Sequence, residues 1–278
     1  MGVKSVLSGL VAIGLLAGGG YALSQVMDGR TAFPLASECV VSGAETVHLD
    51  TEQMGHAATI AAVGLRRELP VRAVTVALAT ALQESKLRNL AGGDRDSVGL
   101  FQQRPSQGWG DPEQLNDPRY AAAKFYDKLR RIPGWEQMRV TEAAQAVQKS
   151  AHPEAYQKWA AEADVLALGL SGQAPTAVTC TVPDDITATS PVALREALNL
   201  DWGTVSTDES AGSGVTLPVR DAKTGWRLAH WLVSHAAEHG VSRISYGGHQ
   251  WSASDGKWRT TSTAGNAVIA EFAGTTEG

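Results

Sequence analysis

Glu84 closes an apolar run in the string Ala81-Leu82-Gln83-Glu84-Ser85, and Gly99-Leu100-Phe101-Gln102 begins fifteen residues further on. A carboxyl at the end of an apolar stripe could serve as a general acid. Burial favours its protonated form, and a glutamic acid held partly protonated near neutral pH is what protonating a leaving-group oxygen requires. An isolated glutamate at a helix end more often points into solvent, so the neighbouring Gly-Leu-Phe-Gln string carries much of the weight. Asp94 and Asp96, in the loop from Asn89 to Ser97, are the nearby acids that could position a water opposite Glu84. An Asx turn in a Gly-rich loop is the competing account of both.

These residues need helices to hold them. Pro70 suits a first helical turn, and Val74, Ala77, Leu78, Ala81 and Leu82 recur at helical spacing, so Glu84 extends the same stripe. Before it, Asp50-Thr51-Glu52-Gln53 reads as a capping box opening a helix to about Arg67. After it, the spacing predicts helices from Asp117 with Pro118 in the first turn, from Thr141 to Ser150, and from Pro153 to Ala167. The region is expected to be all-helical.

The chain has 278 residues, room for about two domains plus a targeting segment. Its net charge of −5 and the lack of a long basic run exclude a general nucleic-acid binder. Lys4 precedes an apolar and small-residue run from Val6 to Leu23, whose 18 residues approach the span of a hydrocarbon core. An uncleaved signal anchor is preferred to a cleaved signal, because Tyr21-Ala22-Leu23-Ser24-Gln25 is a poor cleavage site. The expected placement is therefore a single-pass cell-membrane protein with its remaining chain outside the cytoplasm, or a secreted one if the signal is cut. The two cysteines, Cys39 and Cys180, flank the Glu84 region and could close it as a disulfide. So long a loop would contribute roughly 4 to 5 kcal/mol by chain entropy.

Gln83-Glu84-Ser85, the Ser97-Val98-Gly99-Leu100-Phe101-Gln102 string and the helix from Asp117 resemble the lysozyme-like fold of soluble lytic transglycosylases. Gly93-Asp94-Arg95 is also similar to an element of goose-type lysozymes. The likeness covers about residues 45–170. It implies cleavage of the β-1,4 bond between N-acetylmuramic acid and N-acetylglucosamine in peptidoglycan, with Glu84 as general acid and base and no cofactor. Asp94 would be a catalytic auxiliary, Ser85 would orient the acid, and Gln102 would bond sugar N-acetyl or hydroxyl groups. One departure stands out: the Ala-Tyr-Asn segment of such enzymes corresponds here to Ala146-Val147-Gln148-Lys149-Ser150, without tyrosine. Gln148 would replace the asparagine, and Tyr156 stands eight residues further on. Among the aromatics, Trp109, in the polar loop Gln107-Gly108-Trp109-Gly110-Asp111, is expected to be exposed enough to meet ligand.

Beyond Cys180 the composition turns to Thr, Ser, Asp, Gly and Pro, which reads as a linker with a short helix near Pro191 to Leu198. A helix from Asp221 to His239 and strand-like runs at Val241 to Tyr246, Lys257 to Thr261 and Ala267 to Phe272 follow. His235 and His239 lie four apart, but nothing completes a metal-ligand set. The expected fold is mainly α: an anchor over 1–28, a linker over 29–44, a lysozyme-like domain over 45–181, a second linker over 182–216 and a small α/β module over 217–278. Expected partners are peptidoglycan strands, the membrane through the N-terminal helix, and a cell-envelope protein through the C-terminal module. The alternative is a non-catalytic wall-binding or scaffold component of an envelope secretion or transport assembly.

Overall fold

The computed structural model describes residues 37–182, 189–210, 214–262 and 265–273. Strands β1 (Glu38–Ser42) and β2 (Thr46–Asp50) form a hairpin, and β3 (Val178–Thr181) pairs antiparallel on the other side of β1. Cys39 lies directly opposite Cys180 in that register, and the two form a disulfide. The helical region is thus closed by a covalently clamped sheet.

Helix α1 (Thr51–Arg66) starts at Asp50, whose carboxylate accepts from Gln53 N while Gln53 Oε1 accepts from Asp50 N. This reciprocal pairing satisfies two amide groups left free at a helix start. Helix α2 (Val71–Ser85) is buried over most of its length. The short α3 (Pro112–Leu115) packs on α4 (Pro118–Leu129), and α4, α5 (Val140–Gln148) and α6 (Ala160–Leu170) pack against α2. The tightest packing is α2 on α6, with α1 against α4. Ala73, Ala77 and Ala81 on α2 and Ala163 and Ala167 on α6 are buried small residues that permit close helix approach.

Next comes α7 (Pro191–Trp202), with Leu194 and Leu198 buried. Strands β4 (Asp208–Ser210), β5 (Gly214–Pro218), β6 (Val241–Tyr246), β7 (His249–Ser252), β8 (Lys257–Thr260) and β9 (Ala267–Phe272) form an antiparallel sheet in the order β4-β5-β9-β6-β7-β8. Helix α8 (Ala222–Ser234) packs on β6 and β9 with one face and on α1, α6 and β3 with another, followed by the short α9 (Ala236–His239). Its residues are buried nearly all round, as a helix between a sheet and a bundle must be.

The expected mainly α fold is corrected in two respects. Helices take 47% and strands 19% of the described residues, the latter in two antiparallel sheets, so the architecture is mixed. Second, no helix among the described residues is long and apolar enough to cross a membrane. The longest, α1, has 16 residues, or about 24 Å, against a hydrocarbon core of about 30 Å. The single-pass membrane placement is accordingly not supported, and the Val6 to Leu23 run on which it rested lies outside the described residues.

Candidate active site

Glu84 occupies the last turn of α2, where the helix stops abruptly. Lys86 and Leu87 both take left-handed backbone, with φ of 56° and 59°, a conformation few non-glycine residues adopt without outside support. Support comes from α1: Gln53 Nε2 donates to Lys86 O at 2.8 Å, and His56 Nδ1 donates to Leu87 O at 2.7 Å. Leu87 is fully buried. The chain therefore turns away immediately after Ser85 and leaves Glu84 half-buried at the helix end.

The Gly99 to Gln102 turn docks on that end. Ser85 is buried, and its hydroxyl, 2.7 Å from Leu100 O and 3.1 Å from Ala81 O, has one proton to give, so the shorter contact ties the turn to α2. Val98 and Gln103 close the turn by exchanging backbone hydrogen bonds of 3.0 and 3.1 Å. Gly99 is required here: its φ is 76°, and a Cβ would meet Leu115 O at 2.3 Å.

Two side chains from beyond α4 reach the carboxylate. Gln148, the last residue of α5, donates through Nε2 to Phe101 O at 2.8 Å and to Glu84 Oε1 at 3.3 Å. Tyr156 donates its hydroxyl to the same Oε1 at 2.7 Å. Tyr156 is fully buried, and burial, then the charge of Glu84 and the bond to it, push its phenol well above the ordinary range. It stays a neutral donor throughout the physiological range. Among the described residues no donor reaches Glu84 Oε2. The carboxyl is held by one oxygen and open at the other.

Trp159 joins the group from the same turn as Tyr156. A 3-10 turn runs from Gln157 to Trp159, and residues three apart eclipse on such a turn, so Tyr156 and Trp159 face α2 together. The indole donates to Gln83 Oε1 at 2.9 Å, and Lys86 Nζ lies 4.0 Å from the ring centroid. Sequence reasoning did not single out this tryptophan. The i to i+3 spacing from Tyr156 was the available signal.

The structure thus brings Glu84, Ser85, Gln148 and Tyr156 together. It does not bring Asp94: that side chain is 91% exposed, with an ion pair of 4.0 Å to Arg95. Asp96 is engaged by Ser106 N at 2.8 Å and Arg104 Nε at 2.7 Å, and these bonds, the former first, hold its carboxyl far below the usual range. Gln102 turns its amide into its own loop, donating to Gly99 O at 3.2 Å and packing against Gly93. Trp109, expected to be exposed, is only 4% exposed. Lys128 Nζ covers its ring at 3.1 Å from the centroid, and a cation with an apolar stem can shield such a ring even in a polar loop. Among the described residues no group of three or more His, Cys, Asp or Glu side chains could hold a metal ion.

No protein-family model matches this chain, and no curated protein matches it.

Proposed function

We propose that this chain cleaves the β-1,4 glycosidic bond between N-acetylmuramic acid and N-acetylglucosamine in peptidoglycan, with Glu84 as the general acid and then the general base. The observation that carries the reading is the asymmetry of the Glu84 carboxyl. Its Oε1 accepts from Tyr156 and Gln148, two neutral donors that fix the group without neutralising it, and its Oε2 takes no bond from the described residues. A catalytic acid needs this combination of a fixed orientation and a free oxygen.

In the first step the proton on Glu84 Oε2 passes to the glycosidic oxygen as the C1–O bond breaks. Positive charge at C1 is taken up by the substrate's own 2-acetamido oxygen, which bonds C1. Tyr156 and Gln148 stabilise the carboxylate left behind. In the second step Glu84 removes a proton from the sugar's 6-hydroxyl, whose oxygen displaces the acetamido group and leaves a 1,6-anhydro end. If a water is deprotonated instead, a reducing end results. Most glycosidases use two carboxylates, and substrate assistance is a recognised substitute for the second. Asp94 and Asp96 are turned to other partners, which supports the assisted route. Tyr156 on Glu84 also supplies the phenol that the Gln148 segment lacks.

The test is digestion of purified peptidoglycan by the chain, with mass analysis of the soluble muropeptides. Cleavage is expected, and ends lighter by one water would identify the anhydro-forming route. Strand binding without any soluble product would contradict the proposal and favour a wall-binding scaffold.

A further inference from the structure

A pocket of about 470 Å³ is lined in part by Gln148, the residue that also bonds Glu84. Gln148 is the shared wall: its Nε2 holds Glu84 Oε1, while its Oε1 is buried with no partner among the described residues. The pocket's apolar surface comes from Trp109, Ile132 and Val147, and its charged lining from Lys128, Arg131 and Lys149. No Asp or Glu lines it, although acids outnumber bases in the chain, 29 to 24. Among the described residues no carboxylate forms an ion pair with any of the three cations. Burial and the positive charge of Lys149 both depress the Lys128 ammonium, as expected where like charges converge without a counter-ion. Lys149 also takes left-handed backbone, with φ of 55°, immediately after Gln148. Such strain at a ligand-facing position is held by the surrounding structure.

Three unneutralised cations over an aromatic and aliphatic surface fit a carboxylate carried on a short chain with small apolar side groups. The geometry points to this pocket as the subsite for the acidic stem peptide attached to the muramic acid beside the scissile bond, with Lys128, Arg131 and Lys149 receiving its carboxylates and the half-buried Ile132 and Ala146 its methyl groups, over a floor of Trp109 and Val147. This rests on the glycosidase reading above. It adds that the enzyme distinguishes peptide-bearing from bare glycan strands.

The test compares strands with intact stems and the same strands stripped by an amidase, using the full chain. Wild type is expected to show a lower KM on the stem-bearing strands, and the Lys128→Gln/Arg131→Gln variant to lose about tenfold of that preference. Arg131 is exposed, so Arg131→Glu serves as a variant with little folding risk and is expected to lose preference in the same direction. Unchanged preference in both variants would overturn the subsite. If wild type cuts neither substrate, the glycosidase reading fails by itself, and NMR titration with free stem peptide still decides the pocket. Shifts of the Trp109 indole signal that vanish in the double variant would support it, and absence of any shift would overturn it.

Discussion

Two carboxylates of this molecule, Glu84 and Asp201, are surrounded by donors in opposite ways. Asp201 on α7 is wholly buried, and both its oxygens are occupied: Oδ2 accepts from Thr59 Oγ1 at 2.9 Å and Trp231 Nε1 at 2.8 Å, and Oδ1 from Arg119 Nε at 2.5 Å. Those donors come from α1, α8 and α4, so one side chain ties four helices together. A buried charge is tolerated only when paired and hydrogen-bonded to this degree. Glu84 is half-buried, has two neutral donors on one oxygen, and makes no ion pair among the described residues. The saturated carboxylate can do nothing except hold the fold. The unsaturated one keeps the capacity for proton transfer, and its neighbours fix its direction without removing that capacity.

The comparison breaks most readily at Asp201. Asp201→Ala leaves Arg119 and Trp231 without their acceptor, and a loss of about 3 to 5 kcal/mol in urea-measured stability is expected. A cost under about 1 kcal/mol would mean the knot is dispensable. Acid sharpens the same contrast through the histidines packed around α8. His230 is fully buried and donates Nδ1–H to Gly169 O at 2.8 Å, and burial pushes it down to about 4 from 6.5. Burial also lowers His235 and His239. The folded state refuses a proton that the unfolded chain accepts near 6.5, so stability present above that pH is lost as pH falls towards 4. For His230 alone the loss is on the order of 3 kcal/mol. The urea midpoint should therefore begin to fall before the carboxylates titrate, and a flat profile down to about pH 4.5 would contradict this. The smallest effect is expected at Tyr156. Tyr156→Phe removes the shorter of the two bonds to Glu84, worth about 1 to 1.5 kcal/mol, and should lower kcat roughly tenfold. Unchanged kcat would show that Gln148 suffices.

Much of the frame was legible because it rests on local signals. The Asp50 and Gln53 capping box, the Asp117-Pro118 helix start, and the bounds of β6 and β9 all follow from capping and alternation. The Cys39–Cys180 disulfide was legible from the two cysteines despite their separation of 141 residues, but the β1–β3 pairing that carries it was not, since short strands at a domain edge resemble linkers. Glu84 was legible as a candidate, but its partner Tyr156 lies 72 residues away beyond an irregular stretch. Trp109 misled because its polar, Gly-flanked loop gave no sign of Lys128 lying over the ring. Asp201 was hidden in a Thr- and Ser-rich stretch read as linker, where an acid is ordinarily solvated.

The most direct measurement is paired: initial rate on purified peptidoglycan and urea-measured stability for wild type and Glu84→Gln. The amide keeps an oxygen for Tyr156 and Gln148 but has no proton to give as an acid. Soluble product should fall by at least about a thousandfold, with stability within about 0.5 kcal/mol of wild type. Equal product from Glu84→Gln, or inactivity accompanied by a collapse of stability like that expected for Asp201→Ala, would contradict the account.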